Sequence, residues 1–317
     1  MIHELTPSAR FAAQGTMWMD ILGSVSLQKR PRFLDLYRRL RKSPSSHSGY
    51  FPRVAATSAS LDSVMGCDDE VMFCIAEIAA LAAWKAKKEQ NGGLSIPELC
   101  KRGATIEARL DACGGPRPKP ESVSSSSSTR SVSSTPSPRQ ASHAPHPPPV
   151  WDPYGIAAST VPEVSNVDLP TTSTSPTSML QNGTASQPTP SITLRQKSSH
   201  VFREAAYLYL HTVLSGCEPH VPEIVSSVHS LMKSIDDIPV ELDRSLAFPI
   251  TLGGCLSDSP EQREFFETRL ALQGSAVGNG SQAKLLVETV WKRRDAGERA
   301  VCWRQTMQEL RFDLLLV

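Results

Sequence analysis

The chain has 317 residues, enough for one large domain or two ordinary ones. Its 33 Lys and Arg against 32 Asp and Glu leave a net charge of +1, which argues against binding nucleic acid through a broad basic surface, because such binding works by neutralising phosphates. Seven scattered cysteines, an odd count with no CxxC pair, fit a reducing compartment and not a disulfide framework.

Residues 1 to about 42 read as helical. The start carries Glu4 and no apolar run, so it is not a secretory signal. Thr6-Pro7 is a helix start with proline at the first helical position. Phe11, Met17, Met19, Ile21 and Leu22 supply apolar content before Gly23. Pro31 opens a second segment in which Phe33, Leu34, Tyr37 and Leu40 recur at helical spacing. Arg38, Arg39, Arg41 and Lys42 cluster at its end, where cations suit the helix dipole. The cluster reads either as a nucleic-acid or nuclear-import patch or as a solvated helix end, and its shortness favours the second.

Residues 43–65 are rich in Ser, Ala and Pro and read as a loop. A strong helix follows, with Asp68, Asp69 and Glu70 at its start and Lys85, Lys87 and Lys88 at its end. Val71, Ile75, Ile78, Ala79 and Ala82 form its core face, and Asn91-Gly92-Gly93 ends it. Ser95-Ile96-Pro97-Glu98 is a capping-box pattern that opens a helix running to about Asp111. Residues 114–197 differ in kind: they hold 15 of the 25 prolines and a Ser run at 124–128. Such a composition cannot bury enough surface to offset chain entropy, so the segment is expected to be a disordered linker. It contains the proline-directed phosphorylation patterns at Thr135, Ser137, Ser175 and Thr189, and the isolated aromatics Trp151 and Tyr154.

The chain is organised around the stretch Ser199–Asp258, which is expected to form three consecutive helices joined by short turns. Its first helix ends at Gly216 and carries Phe202, Ala206, Tyr209, Leu210 and Val213. Its second runs from about Pro222, with Ile224, Val228, Leu231 and Ile235 on one face. Its third carries Leu242, Leu246, Ala247, Ile250 and Leu252, with Pro249 in the middle as an expected kink and Gly253-Gly254 admitting a neighbouring helix. Ser245–Ser257 is the longest uncharged apolar-rich run, and it is too short and too broken to span a membrane. Ser259-Pro260-Glu261-Gln262 is a second capping-box pattern, and two further helices follow, one from about Ser281 and one carrying Val301 to Leu314.

No constellation carries catalysis. Cys217-x-x-His220, with His211 and His229 nearby, looks like half a metal site without its other half. His143 and His146 lie in the linker. There is no GxSxG elbow and no cysteine in a protease context. Asp68-Asp69 and Asp236-Asp237 read as helix-end caps, and Arg293-Arg294 as a solvated face. Catalytic, cofactor-binding and metal residues are therefore expected to be none, and the chain is expected not to be an enzyme.

Several segments together carry a family resemblance. In the first ordered region they are Trp18–Val25, Pro31-Arg32-Phe33, Met65–Glu70 and Glu77–Trp84. In the second they are Tyr209-Leu210-His211, Leu214-Ser215-Gly216, Pro222-Glu223-Ile224 and Phe248-Pro249-Ile250 through Cys255, then Arg263–Phe266, Val290–Asp295 and Trp303-Arg304. In this order and spacing the chain resembles the fungal-specific regulatory domain found downstream of the zinc binuclear cluster in fungal transcription factors. The resemblance implies an all-helical nuclear module that regulates RNA polymerase II transcription through contacts with the transcriptional machinery or co-regulators, with homodimerisation open. It implies zinc, and contact with DNA, only for a six-cysteine module that no residues here match. A fragment, a truncated gene model and a protein that has lost that module are the alternatives. Target genes, direction of control and inducing signal are not implied.

The expected fold is all-α, a multi-helix array in two parts, 1–113 and 198–317, interrupted by the Ser/Pro-rich linker 114–197. The alternative function is a helical scaffold or adaptor with no transcriptional role.

Overall fold

A computed structural model describes residues 6–42, 66–114, 190–273, 279–312 and 314–316. The described residues contain ten α-helices and one 3-10 helix, joined by turns and short connections. The expected loop 43–65, the phosphorylation candidates Thr135, Ser137, Ser175 and Thr189, and Trp151, Tyr154, His143 and His146 all lie outside them.

Local chemistry sets the helix boundaries. In α1 (Pro7–Leu27), the Thr6 side chain accepts from the Ala9 N–H and proline takes the first position. The helix runs on through Gly23 and stops at Gln28, which adopts φ +52°. Helix α2 (Leu34–Lys42) follows. In α3 (Asp69–Gln90), Asp68 caps the Glu70 N–H, acidic residues fill the first turn and Lys87 and Lys88 the last, as the dipole favours. In α4 (Ile96–Ala112), Ser95 accepts from the Glu98 N–H, while the Glu98 carboxylate pairs with Arg102. The full reciprocal box forms at α8 (Pro260–Leu272), where Ser259 and Gln262 each take the other's backbone N–H.

The remaining elements are α5 (Pro190–Ser215), α6 (Pro222–Asp236), the 3-10 helix Val240–Leu246, α7 (Ala247–Leu256), α9 (Asn279–Asp295) and α10 (Trp303–Glu309). Helix α5 starts ahead of the expected boundary at 198. Its opening residues are largely polar, so apolar periodicity does not reveal them.

The third segment of the central stretch corrects an expectation. It is not one helix kinked at Pro249 but a 3-10 turn followed by α7, in which Pro249 is the third residue. The first four N–H groups of a helix have no intrahelical acceptor, so a proline there removes no hydrogen bond and bends nothing. Leu242, one of the apolar residues of that segment, is exposed on the 3-10 turn.

Packing radiates from α5 and α7. Helix α5 touches α3, α4, α6 and α7; α7 touches α6, α8 and α9; and α3 carries α1 and α2. Every residue from Val201 to Leu210 and from Ala247 to Leu256 is buried. Where the two cross, Tyr209 meets Phe248 edge to face, with centroids 6.2 Å apart. The described residues on both sides of segment 122–186 belong to one compact unit. The core faces of α3 and α6 are as expected, with Ile75, Ile78, Ile224 and Leu231 wholly buried.

Candidate regulatory site

Two polar assemblies involve the N-terminal helices: one ties them to the rest of the body and the other ties them to one another. The first lies along α5. Arg203 donates from Nε to the Leu110 carbonyl at the end of α4 (2.9 Å), and the Tyr207 hydroxyl donates to Asp111 (2.6 Å). Burial, and next the bond to Asp111, push the Tyr207 phenol above its usual range. The Asp68 N–H donates to Ser199 Oγ (3.1 Å), and Lys85 donates to the Val213 carbonyl at the far end (2.7 Å). From the C-terminal side, Arg304 donates to the Val25 carbonyl of α1 (3.2 Å) and lies over the rings of Trp303 and Tyr209. These contacts satisfy backbone groups that a purely apolar seam would leave unpaired.

The second assembly surrounds a depression among α2, α3 and α4. Asp20 accepts from the Arg32 N–H (2.9 Å), the Phe33 N–H (3.0 Å) and the Tyr37 hydroxyl (2.7 Å). One carboxylate thereby fixes the turn between α1 and α2. Burial first, and Asp20 second, push the Tyr37 phenol above its usual range. Arg38 grips Glu77 with two bonds (2.9 and 2.7 Å), and Arg109 stands 3.9 Å from the same carboxylate. The depression offers only about 10 Å³ of free space, far below the roughly 300–1,000 Å³ of small-molecule sites, and its charges already face one another. Its chemistry is that of a joint between helices.

The sequence candidates are dispersed. Cys217 faces Cys302, with sulfurs 3.4 Å apart, and does not join His220. His220 lies exposed between Glu218 and Asp258, and His229 is exposed on α6. Among the described residues no group of three or more His, Cys, Asp or Glu is placed to hold a metal ion. Arg38 of the basic cluster is engaged with Glu77. Asp68 caps α3, as expected, but Asp236 and Asp237 end α6, where no N-cap exists. Arg293 is not simply solvated: it bonds Glu298, Thr306 and Glu309, tying α9 to α10. Gly253 and Gly254 pack against Phe266 and Val287, which is the helix-packing role expected of them.

Sequence reasoning missed Asp20, Glu77 and the buried pair Asp243–Arg269. Single charged residues within helical patterns give no local sign of a partner far along the chain.

The fold and these joints define an all-helical packing domain. The chain belongs to the fungal specific transcription factor domain family, which matches residues 3–317. Its relatives include a transcriptional regulatory protein of Neurospora crassa, 24% identical over 95% of this chain and 37% of that protein. The ustiloxin B cluster transcription factor of Aspergillus flavus is 24% identical over 95% of this chain and 41% of its own length. A transcription factor of Pestalotiopsis microspora is 25% identical over 88% of this chain and 36% of its own length. The chain thus spans about two fifths of the length of these relatives. No solved structure matches. Among the described residues, no helix is long and apolar enough to cross a membrane.

Proposed function

We propose that this chain is the regulatory body of a fungal transcription regulator, acting in the nucleus on transcription by RNA polymerase II. It works through contacts with the transcriptional machinery or co-regulators and performs no catalysis of its own. The observation that carries this is the family match along residues 3–317, which takes in both sets of helices. The relatives named as transcription regulators support it. DNA is reached through a separate zinc-binding module of the kind associated with this family, and zinc is required there and not in the helical body.

The test fuses the chain to a foreign DNA-binding domain and measures a reporter in a fungal host. A change in reporter output, in either direction, is expected. Unchanged output from a well-expressed, nuclear fusion would overturn the proposal and leave the scaffold reading in its place.

A further inference from the structure

Cys217 and Cys302 are 85 positions apart in sequence, yet their sulfurs stand 3.4 Å apart. Cys217 lies just beyond α5, after Gly216 at φ +87°. Cys302 follows the irregular segment that includes Ala300 at φ +55°. Both are half-buried, whereas Cys67, Cys74 and Cys255 are buried. Neither thiol sits inside a helix: Cys217 lies beyond the end of α5, and Cys302 is the N-cap residue of α10. A disulfide needs the sulfurs at about 2.05 Å, a closing movement of about 1.4 Å.

We propose that Cys217 and Cys302 form a peroxide-responsive thiol pair, oxidised to a disulfide that ties the end of α5 to the start of α10. The substrate class is a small peroxide, with hydrogen peroxide as the simplest case. The Cys302 thiolate attacks one peroxide oxygen, the O–O bond breaks, and hydroxide leaves. Cys302 is then a sulfenic acid. The departing hydroxide takes the Cys217 proton and becomes water. The Cys217 sulfur attacks the Cys302 sulfur, the S–S bond forms and the S–O bond breaks. The second hydroxide takes up the proton that Cys302 first released. Two thiols lose two hydrogens and two electrons in all, and the peroxide becomes two waters.

The surroundings assign the roles. Cys217 donates its hydrogen bond to Cys302, so Cys302 is the acceptor and the better thiolate. That bond first, then the Gln305 N–H and the Arg304 charge, hold the Cys302 thiol well below its usual range. The same bond and burial push Cys217 above its own. Arg304 is fixed in place by the Val25 carbonyl and by the rings of Tyr209 and Trp303. A thiol accepting a hydrogen bond beside a guanidinium is the environment in which cysteines react, and an adjacent second thiol resolves the sulfenic acid.

The experiment treats the full chain with graded hydrogen peroxide, blocks remaining thiols with an alkylating agent and maps the peptides by mass spectrometry. Cys100, which is exposed, is the internal reference. The expected result is a Cys217–Cys302 cross-linked peptide at doses that leave Cys100 alkylated, reversed by dithiothreitol. In Cys217→Ser the cross-link is lost, and Cys302 becomes labelled by dimedone, which traps sulfenic acids. In Cys302→Ser, Cys217 stays unlabelled at the same dose. Circular dichroism on both variants checks that helix content is retained. Alkylation of Cys217 and Cys302 at doses that already oxidise Cys100 overturns the proposal, as does a cross-link of either to a different cysteine. Dimedone labelling of Cys217 in place of Cys302 overturns the assigned roles.

Discussion

Gly253 on α7 lies against the ring of Phe266 on α8 so closely that a Cβ added there would stand 2.4 Å from Phe266 Cζ. Phe266 is wholly buried and edge to face with Phe265, so moving its ring aside would disturb that packing. The absence of a side chain at 253 sets how near the two helices come. At Gly254 the nearest atoms are the Val287 methyls at 3.1 and 3.2 Å, a milder approach.

Gly253→Ala is therefore expected to destabilise the protein by about 1–3 kcal/mol, the usual cost of overpacking a closed core. Gly254→Ala should cost less, while Gly254→Leu should cost at least as much as Gly253→Ala. Gly15→Ala, mid-way along α1 with nothing within 4 Å of its added carbon, should instead stabilise by roughly 0.5–1 kcal/mol, through helix propensity alone. Urea unfolding of the four variants checks the order. A Gly253→Ala midpoint equal to that of the parent would remove α7 from the centre of the core.

Asp243 and Arg269 form an ion pair at 3.0 Å with side chains only 1% and 8% exposed. Arg269 is further satisfied by the carbonyls of Ile235 and Ile238, but Asp243 Oδ2 has no partner. Burial pushes the Asp243 carboxyl up to about 6, against the pull of Arg269. A carboxyl raised from 3.8 to about 6 binds its proton more readily in the folded chain than in the unfolded one. This group's contribution to stability thus falls as pH rises from 3.8 to about 6 and is constant above. The unfolding free energy of the parent minus that of Asp243→Asn should grow on acidification through that window. A difference that is flat with pH would show that Asp243 stays ionised. Asp243→Ala, which strands the buried guanidinium, is expected to cost about 3–5 kcal/mol.

Asp20 offers a third test. Replacing it with Ala deprives the Tyr37 hydroxyl and the N–H groups of Arg32 and Phe33 of their shared acceptor. Hydrogen bonds to a charged group contribute about 1.5–3 kcal/mol each. Loss of the turn should loosen α2 selectively, because α2 otherwise leans on α3. Hydrogen exchange is expected to quicken over residues 32–42 with little change in α6 or α7. Uniform quickening along the chain would mean that Asp20 supports the whole core.

Much of this architecture was legible in the sequence because helix ends announce themselves locally. Thr6-Pro7, Asp68-Asp69-Glu70 and Ser259–Gln262 mark their boundaries through bonds that reach only a few residues. The face of α6 was equally plain, since Ile224, Val228, Leu231 and Ile235 are all buried. Pro249 misled because a proline within an apolar run signals a kink only if the helix has already begun, and the preceding turn is 3-10. The joints were illegible for a different reason. Arg203 meets Leu110, Arg38 meets Glu77 and Cys217 meets Cys302 across long sequence separations, and nothing local specifies such partners.

The seam along α5 yields the last prediction. Trp18 on α1 packs edge to face with Phe202 at 5.3 Å, and α3 and α4 both lie directly on α5. The N-terminal helices bury Val71, Ile75, Ile78 and Leu110, apolar surface that water would otherwise meet. Neither set of helices closes its core alone. A protease site placed between residues 122 and 186 and cut to completion should give two pieces that co-elute on size exclusion without denaturant. Arg203→Ala together with Tyr207→Phe removes the bonds to Leu110 and Asp111 while leaving most of the apolar contact. The cut double variant is expected to separate at a lower urea concentration than the cut parent. Clean separation of the cut parent in buffer would show that the two sets of helices are independent bodies.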